Sequence, residues 1–167
     1  TCLIDPSDSI CKGTVIIPGK GTFVLNADGT VTFTAVNGFS GDVTVTIKVE
    51  DDYDQTDTDT LNVTVNKPQA PDVTGDTKST TGVAPVTLEP TTERETSTCL
   101  IDPVSTDCKN EVTIEGKGTF KLNANGTVTF TAVLGYFGDV TVTIKVEDDY
   151  DQIDTDTLNV TVNKPAG

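Results

Sequence analysis

The chain is a duplication, and that limits what it can fold into more than any other feature. An offset of 97 positions lays Thr1–Ala70 over Thr98–Gly167 without a gap, and roughly three quarters of the aligned residues are identical. A period of this length describes a whole domain rather than one turn of a solenoid. The fold must therefore be one that about 70 residues can reach twice. A function served by repetition, such as adhesion, spacing or avidity, suits such a chain better than catalysis does.

The pattern inside each copy is that of β-structure. In TVTFTAV (Thr30–Val36) and DVTVTIKVE (Asp42–Glu50), Val31, Phe33 and Ala35, then Val43, Val45, Ile47 and Val49, point one way, while threonines and Lys48 point the other. LNVTV (Leu61–Val65) continues the alternation with Leu61, Val63 and Val65. Threonine suits the solvated face of a half-buried strand because its branched Cβ prefers extended backbone. Asn-Ala-Asp-Gly, ending at Gly29, and Asn-Ala-Asn-Gly, ending at Gly126, join two such runs and predict hairpins with glycine at a positive φ. Short alternating strands with no helical period predict an all-β chain of two tandem antiparallel immunoglobulin-like β-sandwich repeats.

A domain below about 70–80 residues usually needs a staple. Cys2/Cys11 and Cys99/Cys108 repeat one spacing and predict one local disulfide per copy, which could contribute up to ~3 kcal/mol. Zinc is the competing use, but the sequence holds no histidine and the spacing matches no zinc motif. Disulfides imply an oxidising, extracytoplasmic compartment. The formal net charge of −15 repels nucleic acid and anionic membranes, so nucleic acid is excluded as a partner and insertion of this segment into a membrane is not expected. No apolar run is long enough to span a bilayer and the start carries no signal sequence, so an extracellular chain of this kind is expected to be an excerpt of a longer protein.

Between the copies lies QAPDVTGDTKSTTGVAPVTLEPTTERETS (Gln69–Ser97). Its Pro, Thr and Gly content permits a linker. The alternation of Val83, Pro85 or Val86, and Leu88 favours an edge strand, and hence the opening strands of the second repeat. The domains are accordingly expected at 1–68 and 69–167, with 69–97 as first strands or linker; on the strand reading, the first copy lacks the counterpart.

The order of these motifs carries a resemblance. TCLIDP, the G-x-G-T-F strand, the N-x-x-G-T-V-T-F hairpin, the glycine turn before GDVTVTIKVEDDYDQ, and the closing DTDTLNVTVNKP, preceded by APDVTGDTKSTTG, resemble the CshA-type fibril repeats of Gram-positive surface adhesins and the wider bacterial immunoglobulin-like and cadherin-like repeats. The resemblance covers nearly the whole chain. It implies a stalk on the bacterial cell surface or cell wall, with no chemistry of its own. Its partners would be neighbouring repeats of the same polypeptide and, through the parent protein, a host or bacterial surface ligand. The chain itself is expected to be a monomer. Ala35 and Ala132 stand where the family commonly has proline, and paired cysteines are not universal in it.

One stretch asks for a local explanation. VEDDYDQTDTDTLNVTVNKP (Val49–Pro68) packs Glu50, Asp51, Asp52, Asp54, Asp57 and Asp59 together, and it recurs at Val146–Pro165 with one change, Thr56 to Ile153. Strand parity sends Asp51, Asp57 and Asp59 inward, as it does Asp148, Asp154 and Asp156, and leaves Asp52 and Asp54 on the turn. Three readings of the inward set stay open: a calcium site, capping by backbone N–H groups, or a solvated acidic turn. Calcium is the one cofactor the sequence suggests, although the spacing is not that of an EF-hand loop. An enzyme is not expected, since the chain has no histidine or tryptophan and Ser7 and Ser9 lie in the cysteine loop without a base. Lys12, Lys20 or Lys48 could form an isopeptide bond with Asn62 or Asn66, but Lys48 and Asn62 share the outward parity and a dry site is not expected there. The sequons at Asn62, Asn125 and Asn159 are given no weight.

Overall fold

The computed structural model describes residues 1–166, and every regular element among them is a β-strand. The chain divides into two units, Thr1–Pro68 and Gln69–Gly167. Unit 1 contains β1 (Cys2–Ile4), β2 (Cys11–Lys12), β3 (Thr14–Ile17), β4 (Gly21–Leu25), β5 (Val31–Ala35), β6 (Gly41–Glu50) and β7 (Thr56–Val65). They form two facing layers, β2-β1-β6-β7 and β3-β4-β5, with all pairings antiparallel.

Unit 2 repeats this plan and adds to it. β12 (Ser97–Ile101), β13 (Cys108–Lys109), β14 (Glu111–Ile114), β15 (Gly118–Leu122), β16 (Val128–Ala132), β17 (Gly138–Glu147) and β18 (Ile153–Asn163) correspond to β1–β7. Residues 69–97 supply four further strands: β8 (Asp72–Thr74), β9 (Asp76–Thr81), β10 (Val86–Leu88) and β11 (Thr91–Glu93). β9 joins the edge of β18 in parallel, from Leu158 opposite Asp76 to Asn163 opposite Thr81. β10 joins the edge of β16 antiparallel, with Val86 opposite Phe130 and Leu88 opposite Val128. One short segment thus extends both layers, giving sheets β13-β12-β17-β18-β9 and β10-β16-β15-β14, while β8 and β11 form a separate ribbon.

The core follows from the alternation. In unit 2 Leu100, Val112, Phe120, Val128, Phe130, Ile144, Val146 and Leu158 are fully or almost fully buried, joined by Val73 and Leu88 from the added strands. In unit 1 full burial is confined to Leu3, Val15, Phe23, Val43 and Val45, and Val31, Phe33, Ile47, Leu61 and Val63 pack around them only partly covered. The Phe23–Phe33 and Phe120–Phe130 pairs have the same geometry, with centroids 4.6 Å apart and tilted rings, an arrangement favoured by the ring quadrupoles. Glycine is required beneath them: a Cβ at Gly21 would strike Phe33 and the Thr34 carbonyl, and one at Gly118 would strike Phe130 and the Thr131 carbonyl. The hairpin turns have Gly29 at φ 91° and Gly126 at φ 89°, and their N–H groups donate to the carbonyls of Asn26 and Asn123.

Candidate functional site

The duplicated acidic hairpin lies between β6 and β7 in unit 1 and between β17 and β18 in unit 2. Its tip is shaped by one carboxylate. Asp51 Oδ1 accepts the N–H groups of Tyr53 (2.9 Å) and Gln55 (3.0 Å), and its Oδ2 accepts Gln55 Nε2 (2.7 Å). Asp148 does the same for Tyr150 and Gln152. These bonds close a turn in which Asp54 and Asp151 take φ near 60°. A left-handed conformation is tolerated by aspartate better than by most residues. Bonds from the Gln55 and Tyr53 N–H groups hold the Asp51 carboxyl below its usual range, because a carboxylate that accepts backbone donors is favoured in its charged form. Asp52 and Asp54 are exposed.

Asp51 itself is exposed, against the inward placement that parity predicts; of the other acids in that set Asp154 is half-buried and Asp156 exposed, and these two serve a different purpose in one unit only. Asp154 stands opposite Val146 and Asp156 opposite Ile144 in the β17–β18 ladder. Asp154 Oδ2 accepts the Val73 N–H (2.9 Å), and Asp156 Oδ2 accepts the Gly75 N–H (2.8 Å). Val73 lies in β8 and Gly75 just precedes β9, so these two carboxylates moor the added segment to the sheet. The Val73 N–H lowers the Asp154 pKa, and the Gly75 and Thr157 N–H groups lower that of Asp156. Gly75 is needed for the approach, since a Cβ there would run into the Thr157 carbonyl. Asp76 fixes the far side by accepting the Glu89 N–H (2.8 Å).

Asp57 and Asp59 hold the same places in unit 1, where each is exposed and accepts the N–H of the next residue, Thr58 and Thr60, as Asp156 also does from Thr157. The sandwich edge above them is open. A groove of about 580 Å³ runs between β5 and β7, bordered by Val31, Phe33, Ile47, Leu61 and Val63. In unit 2 the equivalent space is filled by β9, β10 and Leu88. Among the described residues, no group of three or more His, Cys, Asp or Glu side chains is placed to hold a metal ion.

Both disulfides form, Cys2–Cys11 and Cys99–Cys108, each with Cα atoms 5.5 Å apart. The loop each one closes contains a feature that strand and cysteine patterns do not reveal. Asp5 accepts Ser7 N–H and Oγ on one oxygen and the Lys12 ammonium at 2.8 Å on the other; Asp8 takes the same ammonium at 2.9 Å. Lys12 and the Ser7 donors lower the Asp5 pKa to about 2. In unit 2 Asp102 binds Val104 N–H, Ser105 N–H and Lys109 (2.8 Å). The available signal was the retention of Asp5/Asp102 and Lys12/Lys109 across the copies while Ser7–Ile10 changes completely. Lys12 is thus engaged by carboxylates. Lys20 sits over the Phe39 ring, and Asn62 bonds the Thr44 and Thr60 side chains.

The fold and its stapled loops define a class: small two-layer β-sandwich modules set in tandem. The chain belongs to the family described as Bacterial Ig domain, which it matches twice, over residues 4–64 and 68–161. No curated protein matches it. Among solved structures it is similar to "PcdhgB3 EC1-4 in 50 mM HEPES" at 13% identity and a TM-score of 0.38, covering 90% of this chain and 40% of that one.

Proposed function

We propose that these two modules are stalk repeats of a bacterial cell-surface adhesin, similar to CshA-type fibril repeats, which hold a binding tip away from the cell wall. The observation that carries this reading is the near-identity of two consecutive bacterial Ig modules, each with its own disulfide and its own capped acidic turn. Repeating a structural module adds length without adding chemistry. In this reading the chain works outside the cell, where the disulfides persist, touches mainly neighbouring repeats, and has no catalytic role. Chains with two, three and four modules test it by small-angle scattering. The maximum dimension should rise by a constant increment per module, and a compact particle at every length would overturn the stalk.

The carboxylates are read as backbone caps rather than as a calcium site, because Asp51, Asp148, Asp154 and Asp156 all accept main-chain N–H groups. Melting temperatures in EDTA and in millimolar calcium should therefore agree; a clear rise with calcium would restore the metal reading.

A second reading, adhesion by the module itself, is favoured by one observation. Leu134 and Phe137 are exposed on unit 2, at 86% and 54%, beside Val83 and Pro165. Exposed apolar groups gathered in this way mark an interaction surface. If unit 2 binds a surface directly, replacing both residues with serine should abolish adhesion while leaving stability unchanged.

A further inference from the structure

Among the positions at which the two copies differ, one falls on a reactive step of the chain. The turn between β4 and β5 reads Asn26-Ala27-Asp28-Gly29, and the turn between β15 and β16 reads Asn123-Ala124-Asn125-Gly126. The two are built alike. Gly29 N–H donates to the Asn26 carbonyl at 3.1 Å and Gly126 N–H to the Asn123 carbonyl at 3.0 Å, and the Asn26 and Asn123 N–H groups close the turns on the Thr30 and Thr127 carbonyls. Asp28 Oδ1 accepts the Thr30 N–H (3.0 Å) and hydroxyl (2.6 Å). Asn125 Oδ1 accepts the Thr127 N–H (3.1 Å) and hydroxyl (2.6 Å). A side-chain oxygen bonded to the backbone two residues on is what suits both Asn and Asp to turns. Aspartate and asparagine thus occupy one frame with one set of donors.

We propose that Asn125 is a site of spontaneous deamidation, at which water converts the second hairpin turn into the aspartate turn already present in the first. The Gly126 nitrogen attacks Asn125 Cγ and gives up its proton; the bond from Cγ to Nδ2 breaks and ammonia leaves, closing a five-membered succinimide. Water then opens the ring. Breaking the new bond to Cγ yields aspartate, and breaking the original main-chain bond yields isoaspartate. In sum one water is taken up and one ammonia released, with no change of oxidation state.

The turn favours this step in three ways. Gly126 has no side chain, and a Cβ there would meet nothing within 4 Å, so the nucleophile is approached without hindrance. Asn125 and Gly126 are both exposed, so water reaches the ring and ammonia escapes. The two Thr127 donors on Oδ1 stand where negative charge develops as Cγ becomes tetrahedral, as donors in an oxyanion hole do. The bond from Gly126 N–H to Asn123 must open first, which an exposed hairpin tip does at low cost.

Unit 1 shows what the product looks like. The Thr30 hydroxyl and N–H hold the Asp28 carboxyl below its usual range, so this frame favours the charged side chain. The aspartyl product should keep the turn and add one negative charge to unit 2; the isoaspartyl product, with an extra main-chain carbon, should open it. Asn37-Gly38 is a second Asn-Gly step, but Leu134 stands at its place in unit 2, and no aspartate is accommodated there in either copy.

The test ages the full chain in warm, mildly alkaline buffer and maps its tryptic peptides by mass. The peptide Leu122–Lys145 should gain about one mass unit, placed at Asn125 by fragmentation, at least about tenfold faster than any gain at Asn123 or Asn159. Asn125→Gln, whose longer side chain would have to close a six-membered ring, should remove the gain. Asn125→Asp should melt at the native temperature or above it. No gain at Asn125, or one no faster than at Asn123, overturns the site. A lower unit 2 transition for Asn125→Asp overturns the equivalence of the two turns.

Discussion

Val49 and Val146 are the same residue in the same strand of two near-identical sequences, yet Val49 is 48% exposed and Val146 is fully buried. Pairing with the following strand is the same, Val49 with Asp57 and Val146 with Asp154; pairing with the preceding strand is not, since Thr98 stands opposite Val146 whereas β1 begins at Cys2 opposite Lys48. Turn geometry does not account for the difference, because Asp51 and Asp148 cap equivalent loops with the same donors. The difference arises from the longer β12 and from residues 69–97, whose Val73 joins the buried cluster of Val146 in unit 2. Local sequence therefore sets strands, register and turns in both units, whereas burial depends on a segment outside the repeated stretch. Secondary structure and core are separable properties of this module.

The sharpest way to break the comparison is to remove the same aromatic ring from both units. Phe130 is fully buried beneath β10, so Phe130→Ala should destabilise unit 2 by about 3–5 kcal/mol. Phe33 pairs with Phe23 in the same way but is partly exposed, and Phe33→Ala should cost unit 1 roughly half as much, in proportion to the smaller area removed from water. Calorimetry should resolve two transitions, the lower belonging to unit 1. Equal losses in the two units would show that the open edge of unit 1 has no energetic consequence.

The staples should behave alike in the two units. Each closes a loop of the same length, so Cys2→Ser with Cys11→Ser and Cys99→Ser with Cys108→Ser should each remove up to ~3 kcal/mol. Unit 1 starts with the smaller core, and the same loss should lower its transition further. If only unit 2 responded, the Cys2 loop would not constrain its unfolded chain, and the equivalence of the two staples would fail.

Much of this organisation is legible in the residues. The period-two runs identify β5, β6 and β7 and their buried faces, and Asn-Ala-Asp-Gly identifies the hairpin at Gly29, because both signals are local. Val86 and Leu88 alternate as a strand should, and they lie in β10. Parity put Asp51, Asp57 and Asp59, with Asp148, Asp154 and Asp156, on the inner face; they lie beyond the last apolar layer, and of the six only Asp148 is buried and Asp154 half-buried. It could not assign Asp51 and Asp154 to different tasks, since that depends on donors 4 residues away in one case and 81 in the other. Nor could alternation reveal the parallel pairing of β9: DTKSTT carries no apolar face, and its place is fixed by ladder bonds and by Asp76. The Asp5–Lys12 pair escaped because the cysteine loop has no period at all.

The smallest expected difference concerns the mooring carboxylates, and it separates the units by pH. Asp154 and Asp156 have pKa values lowered from 3.8 in the folded chain. A lowered folded value means the charged form is favoured by folding, so its contribution is complete above about pH 4 and is lost as pH falls through the folded values. Asp5 and Asp102 follow the same sign in their loops, Asp5 over the range from about 4 down to about 2, so both units should lose stability in acid. The added segment gives unit 2 an extra component. Asp154→Asn with Asp156→Asn should lower the unit 2 transition by a few degrees at pH 7 and flatten its acid dependence below pH 4, because asparagine still accepts the Val73 and Gly75 N–H groups but without charge. Asp57→Asn with Asp59→Asn should leave unit 1 unchanged or slightly more stable, since no strand is moored there and two like charges are removed from neighbouring positions. Thermal melts of both double variants between pH 2.5 and 7 decide the matter. A loss of stability in unit 1 equal to that in unit 2 would mean that these carboxylates act within their own strand and not by mooring the 69–97 segment.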